Sequence, residues 1–449
     1  MSCLIVDSRR TPVLNTSIGP VRGLVLRTAW DGIKYSAFKG IPYAEPPLRQ
    51  LRFRPPVPIA PWNEVLNAFQ EGSVCPQRDI MSTKLMGHEN CLYLNVFTPE
   101  TRFTRLSRRR PVMVWIHGGA YRSGFSNSSF YGPDFFIEED LVFVSFNYRL
   151  GPLGFLTLKH PNATGNAGLK DQNLVLRWVK SNIATFGGDP SQVTIFGESA
   201  GSTAVGFHML SKQSRGLFLR SISMSGTPLC PWAYHPPENI IANAHYVAAT
   251  LDFAPKNKDD LLNFLQRAPA MDLVDAGGII GLDFLPFRPT VEDPKINKNA
   301  FLTECPITQY SNGNFYKHSM MMGYTRDEVV LFLGPTITPI GIGNMIDWAK
   351  KYVSSMTEHH ERMTADPLNR LALLVEKIYN STYAEGVKIA NDIFFSGPID
   401  LTQRLLARSN EEHPIYYYRL SYQTQHSMHK MYDNPLNVLD YHLLEITAH

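Results

Sequence analysis

The sequence predicts an α/β fold, a large, mostly parallel twisted sheet flanked by helices, and three observations carry that prediction. Short apolar runs of β-forming residues each close on glycine or a polar turn, a helical period lies between two of them, and a G-x-S-x-G pentapeptide stands where a strand runs into a helix. Strands alternating with helices are the pattern of a sheet buried on both faces.

The runs PVMVWIHGG and LVFVSFNYRLG are continuous in Val, Ile, Phe and Trp and read as buried strands. In NLVLRWVKSNIATFGGD the residues Leu174, Val175, Trp178, Val179 and Ile183 recur at helical spacing, and Gly187 and Gly188 end the pattern. VTIF then reads as a strand, the stretch after Gly201 towards Leu210 as a helix, and LRSISMSG as another strand. Helices and loops alternate from about Pro236 to Ala300. HSMMMGYTRDE reads as a strand opening into a loop, and PIYYYRLSY as a strand rich in tyrosine. Near the start, GIPYAEPPLRQLRFRPPVPIAPW is too rich in proline for helix and predicts extended segments joined by turns. No internal repeat, low-complexity tract or linker divides the chain, so a single domain over residues 1–449 is expected.

Composition narrows the function class. Hydrophobic residues make up 44% and charged residues 18%, which is globular core material. A net charge of +3 with scattered Lys and Arg gives no footprint for nucleic acid. The densest basic run, Arg105 with Arg108, Arg109 and Arg110, reads as a solvated loop before a strand. No apolar run is long enough to span a bilayer. Five cysteines, at 3, 75, 91, 230 and 305, are too few and too irregular for a zinc framework and leave at least one free thiol. The start MSCLIVDSRR lacks a basic stretch followed by an apolar segment, which sets the expectation of a cytoplasmic protein, or a secreted one if residues precede this start.

The chemistry centres on Gly197-Glu198-Ser199-Ala200-Gly201. Glycines two residues either side of Ser199 permit a tight strand-to-helix turn that lifts a serine hydroxyl above the sheet. The helix that begins there directs its first N–H groups at a developing oxyanion. Upstream, VWIHGGAYRSG places Gly118 and Gly119 just after a strand, where backbone N–H groups approach a carbonyl with no Cβ between. With the N–H of Ala200 they would form an oxyanion hole. His117 reads as a shaping residue rather than a base.

FKGIPYAEPP, ENCLYLNVFTP, WIHGGAY, FNYRLGPLGFL, NAGLKDQNLVLRWVKSNIATFGGDPSQVTIFGESAG and GYTRDE, in that order between Ile18 and Tyr422, resemble the blocks of the type-B carboxylesterase and cholinesterase family. The resemblance implies an α/β-hydrolase fold and a serine esterase that cleaves carboxylic esters through an acyl-enzyme, with no metal or organic cofactor and a small-molecule ester as partner. It implies Glu328, in Gly323-Tyr324-Thr325-Arg326-Asp327-Glu328, as the acid of a triad, although Val329 stands where relatives usually have glycine. It also implies a disulfide between Cys75 and Cys91. The blocks are most similar to insect carboxylesterases. Glu198 argues against juvenile hormone esterases, which tend to carry Gln there, and Trp115 and Trp232 read as core or acyl-pocket residues rather than as a cation site.

The base must follow Glu328 in chain order. His359 and His360 lie in a charged stretch, His413 precedes Pro414, and His426 and His429 fall in a polar loop. His442 fits the family's H-x-x-[Asp/Glu]-[Leu/Ile] outline through Glu445 and Ile446, with Leu443 where Gly or Ala is usual, and is favoured over His449, a residue beyond the end of this sequence being the third alternative. Relatives usually continue beyond this histidine with several helices, so the resemblance implies a domain lacking them. The competing class is a catalytically silent relative acting in ligand sequestration or adhesion; its mark is a replaced serine, and Ser199 is retained.

Overall fold

The computed structural model describes residues 9–79, 82–104, 108–278, 280, 285–329, 388 and 390–422. His359, His360, His426, His429, His442 and His449 lie outside the described residues.

Among the described residues ten strands form one sheet: β1 (Arg9–Arg10), β2 (Leu24–Arg27), β3 (Lys34–Pro42), β4 (Tyr93–Thr98), β5 (Arg110–Ile116), β6 (Val142–Phe146), β7 (Gly188–Glu198), β8 (Arg220–Met224), β9 (Met320–Thr325) and β10 (Ile415–Leu420). Their spatial order is β1-β2-β3-β4-β6-β5-β7-β8-β9-β10. From β6 to β10 every pairing is parallel, and from β1 to β6 every pairing is antiparallel. The sheet is therefore mixed. Its parallel part comprises the apolar runs predicted as strands, and its antiparallel part is built from strands before and after the proline-rich stretch, which itself contributes only Gly40, Ile41 and Pro42 at the end of β3. Apart from those three residues the sequence reading did not pick out the strands of that half, which are short or interrupt their own alternation; β3 carries a register shift between Phe38 and Ile41, at Gly40 with φ 70°.

The period of two explains how one sheet is buried on both faces. Val112, Val114 and Ile116 of β5, with Val144 of β6 and Ile195 of β7, enter the larger core. Trp115, Phe143 and Phe196 alternate with them and join Phe97 and Ile137 in a second cluster. Trp115 sits 4.9 Å from Phe196, centroid to centroid, which makes it a core residue. Each such aromatic or aliphatic side chain contributes about 1.5–3 kcal/mol by burial.

Helix α1 (Ala167–Asn182) lays Val175, Leu176, Trp178 and Val179 against the larger core. A 3₁₀ turn continues it to Phe186, and Gly187 at φ 84° ends it. Arg149, just after β6, is tied to α1 by a buried bidentate pair, with Nε and Nη2 2.8 and 2.6 Å from the Asp171 carboxylate. Such a pair adds little net stability but removing one partner is costly. Helix α2 (Ala200–Leu210) follows β7, and α3 (Gly397–Ala407) precedes β10. Cys75 and Cys91, both buried, are joined in the disulfide that the family resemblance implied. No helix among the described residues is long and apolar enough to cross a membrane.

Candidate active site

Ser199 occupies the turn between the last residue of β7 and the first of α2, with φ 55° and ψ −121°. A non-glycine residue in this region costs about 1–3 kcal/mol and persists only where its surroundings over-determine it. Here they do. The Ser199 N–H donates to the Met224 carbonyl at 2.9 Å, and its own carbonyl accepts from the Thr203 N–H at 3.0 Å. The flanking glycines serve by absence of bulk: neither has positive φ. A Cβ on Gly201 would stand 2.0 Å from the Ile116 carbonyl oxygen, and one on Gly197 would stand 2.6 Å from the Gly201 carbonyl carbon. The pentapeptide thus packs its backbone directly on the end of β5.

That contact delivers the glycine pair. A Cβ on Gly118 would lie 3.3 Å from the Ser199 Cβ and 2.7 Å from Glu198 Oε2, so the backbone at Gly118 runs alongside the serine. Gly119 takes φ 103°, and Ala120 and Tyr121 are both at φ 58°, so three successive residues are left-handed. His117 is buried, stacks on Tyr148 at 4.3 Å and turns Nδ1 towards the Gly118 carbonyl at 2.8 Å. Burial pushes its pKa down to about 4, so it is neutral at pH 7 and shapes the loop, as expected from the sequence.

Sequence reading missed the residue that holds this loop. Gln77 is fully buried two positions beyond Cys75. Its Oε1 accepts from the Gly124 N–H at 2.7 Å and the Ser123 hydroxyl at 3.0 Å, and its Nε2 donates to the Gly124 carbonyl at 2.9 Å. Ser123 in turn gives its N–H to Gly119 at 2.9 Å. The disulfide loop is thereby coupled to the glycine loop across 47 residues of sequence. The signal available was only a glutamine two positions after a cysteine.

Glu328 lies on the loop after β9 and is completely buried. Its Oε1 accepts from the Thr325 N–H at 2.7 Å and from the Ser225 hydroxyl. Its N–H donates to Asn391 Oδ1 at 2.7 Å. Ser225 and Gly226, in the turn after β8, stand between the serine and the glutamate. Ser225 reaches Glu328, while a Cβ on Gly226 would meet the Ser199 carbonyl at 2.7 Å. Ser202 of α2 donates to the Gly226 carbonyl at 2.6 Å. One turn therefore packs against both sequence-predicted groups. Trp232 flanks it: its Cη2 is 3.0 Å from that Gly226 Cβ position, and its Nε1 donates to the Phe394 carbonyl at 2.9 Å. The structure brings together Ser199, Ala200, Gly118 and Gly119 and places Glu328 across the same turn; His442 and His449, the candidate bases, are outside the described residues.

A sequence profile described as the Carboxylesterase family matches residues 10–447. This chain belongs to the carboxylesterase family. Its relatives include a carboxylic ester hydrolase of Bombus ignitus, 36% identical over 94% of this chain and 76% of that one. Venom carboxylesterase-6 of Apis mellifera is 33% identical over 94% of this chain and 77% of its own length. The fold matches the crystal structure of juvenile hormone esterase from Manduca sexta with OTFP covalently attached, at a TM-score of 0.88 and 29% identity over 98% of this chain and 83% of that one. The carboxylesterase is thus an α/β-hydrolase with insect esterases among its relatives, and it is a carboxylic ester hydrolase acting on small esters.

Proposed function

We propose that this carboxylesterase works as a serine hydrolase with Ser199 as nucleophile, His442 as general base and acid, Glu328 as the acid of the triad, and the N–H groups of Gly118, Gly119 and Ala200 as the oxyanion hole. The observation that carries the reading is the backbone of Ser199, held at φ 55° and ψ −121° on the strand-to-helix turn with Gly118 against its side chain. His442 is taken as the base over His449 because Glu445 and Ile446 complete the family's outline after it.

The chemistry follows from these positions. The Ser199 hydroxyl attacks the ester carbonyl as His442 takes its proton, and the carbonyl oxygen becomes an oxyanion. N–H groups already aimed at that oxygen stabilise it without reorganising, each contributing about 3 kcal/mol. Collapse expels the alcohol, which takes the proton back from the imidazolium. Water then enters, loses a proton to His442, attacks the acyl-enzyme and releases the acid and the free serine. Glu328 would accept a hydrogen bond from the imidazole and fix its tautomer. The family's chemistry suits uncharged carboxylic esters.

The test combines hydrolysis of p-nitrophenyl and naphthyl esters with labelling by an organophosphate. Hydrolysis, with the label mapped to Ser199 and both lost in Ser199→Ala, is expected. Absence of both from the intact chain would sink the reading. His442→Ala retaining full hydrolysis while His449→Ala loses it would transfer the base to His449.

A further inference from the structure

Glu328 is held at two levels by different parts of the fold. Its carboxylate is fixed locally, by Thr325 three residues before it and by Ser225 of the adjacent turn. Its backbone is fixed from 63 residues away by Asn391, whose Oδ1 accepts the Glu328 N–H at 2.7 Å and whose Nδ2 donates to the Arg326 carbonyl at 3.4 Å. The orientation of the amide is unambiguous. Rotating it would set a donor against the Glu328 N–H and an acceptor against the Arg326 carbonyl. Asn391 therefore brackets the loop 326–328 from both sides, and it is itself buried.

The element carrying Asn391 is built to stay put. A π-helical turn, Asp392–Ser396, follows it and runs into α3. Such turns free a backbone carbonyl and concentrate at functional sites. Here Trp232 donates to the Phe394 carbonyl at 2.9 Å, and its ring lies 5.5 Å from that of Phe395. Thr402 of α3 donates to the Thr227 hydroxyl at 3.0 Å. The helix is pinned at three points to residues 227–232, the segment that follows the turn packed on Ser199.

We propose that Asn391 is a positioning residue for the triad: it clamps the backbone of Glu328 and so sets the direction from which the carboxylate meets the base. This rests on the reading of Ser199 and Glu328 given above. Asn391 touches no reacting atom. It acts through Glu328, and it ties the acid to the same helix that braces Trp232.

Asn391→Ala and Asn391→Asp in the intact chain test this, with kcat and KM for p-nitrophenyl esters expressed per site titrated by an organophosphate. For Asn391→Ala, kcat is expected to fall by about tenfold or more with KM within about twofold, since a small misdirection is costly in a triad. The acid limb of kcat/KM should move to lower pH, because a misdirected carboxylate stabilises the imidazolium less. Asn391→Asp keeps an acceptor in place but adds a negative charge beside Glu328, so its acid limb should move to higher pH. A purely structural role would lower the number of titratable sites and leave both limbs in place. Wild-type kcat per site with unmoved limbs overturns the proposal. If Asn391→Ala does not fold, the limb of Asn391→Asp decides alone. An intact chain that neither hydrolyses nor labels would remove the triad and this inference together, whereas an active chain with indifferent variants removes this inference only.

Discussion

Gly118 lies against Ser199 so closely that a Cβ there would come within 3.3 Å of the serine Cβ and 2.7 Å of Glu198 Oε2. The close approach comes from the packing of Gly201 on Ile116, one residue before His117, so a change at Gly118 reaches the nucleophile and the oxyanion donors at once. Gly118→Ala should keep the fold and lower kcat/KM by about a hundredfold, the scale of losing one oxyanion donor. Steady-state kinetics with a melting curve that shows an intact fold would check it; wild-type kinetics would contradict it.

The hydroxyl of Ser225 donates to buried Glu328 from a backbone at φ 58°. Glycine accepts that backbone, so Ser225→Gly removes the hydrogen bond without straining the turn. A hydrogen bond to a charged group is worth about 1.5–3 kcal/mol, so kcat should drop roughly ten- to a hundredfold. Ser225→Ala should lose more stability than Ser225→Gly, and thermal melts of the pair separate strain from the lost hydrogen bond.

Buried histidines set an acid limit on stability. Burial lowers His117 and His318 to about 4 and His208 to about 3. Each is neutral when folded, while the unfolded chain binds its proton near pH 6.5. Above pH 6.5 both states are neutral and nothing depends on pH. Below it the unfolded state binds more protons, so stability falls as pH drops from 6.5 towards 4, by up to about 1.4 kcal/mol per unit for each histidine. Denaturant midpoints between pH 7.5 and 5 should decline. His318 takes a hydrogen bond from Ser221 at Nε2 over 2.7 Å and gives one to the Tyr316 carbonyl over 2.8 Å. His318→Gln should flatten the decline by roughly one proton's share, and an unchanged slope would exclude His318 as a contributor.

The disulfide closes a short loop, its cysteines standing 16 positions apart in the chain. Replacing both Cys75 and Cys91 by serine should cost about 3 kcal/mol. Because Gln77 carries the loop's order to Gly124, the same variant should also lose kcat at temperatures where it remains folded. Chemical denaturation and kinetics on one sample measure both, and a stability loss with unchanged kcat would break the proposed link.

What the sequence by itself determined is local. The parallel strands, the helical period from Leu174 to Ile183 and the turn at Ser199 were legible because a period of two, a period of 3.6 and a pair of glycines are each written within about a dozen residues. The family resemblance added Glu328 and the Cys75–Cys91 bridge, which no local rule would single out. The tertiary structure decided what holds those groups: Gln77 on the loop of Gly119 and Gly124, Ser225 on the Glu328 carboxylate, and Asn391 on the Glu328 backbone. These span 47, 103 and 63 residues of chain, respectively. A polar side chain carries no mark of the distant group it will meet. Its partner is fixed only when the sheet assembles and buried donors and acceptors must find one another, since leaving one unpaired costs more than a hydrogen bond returns.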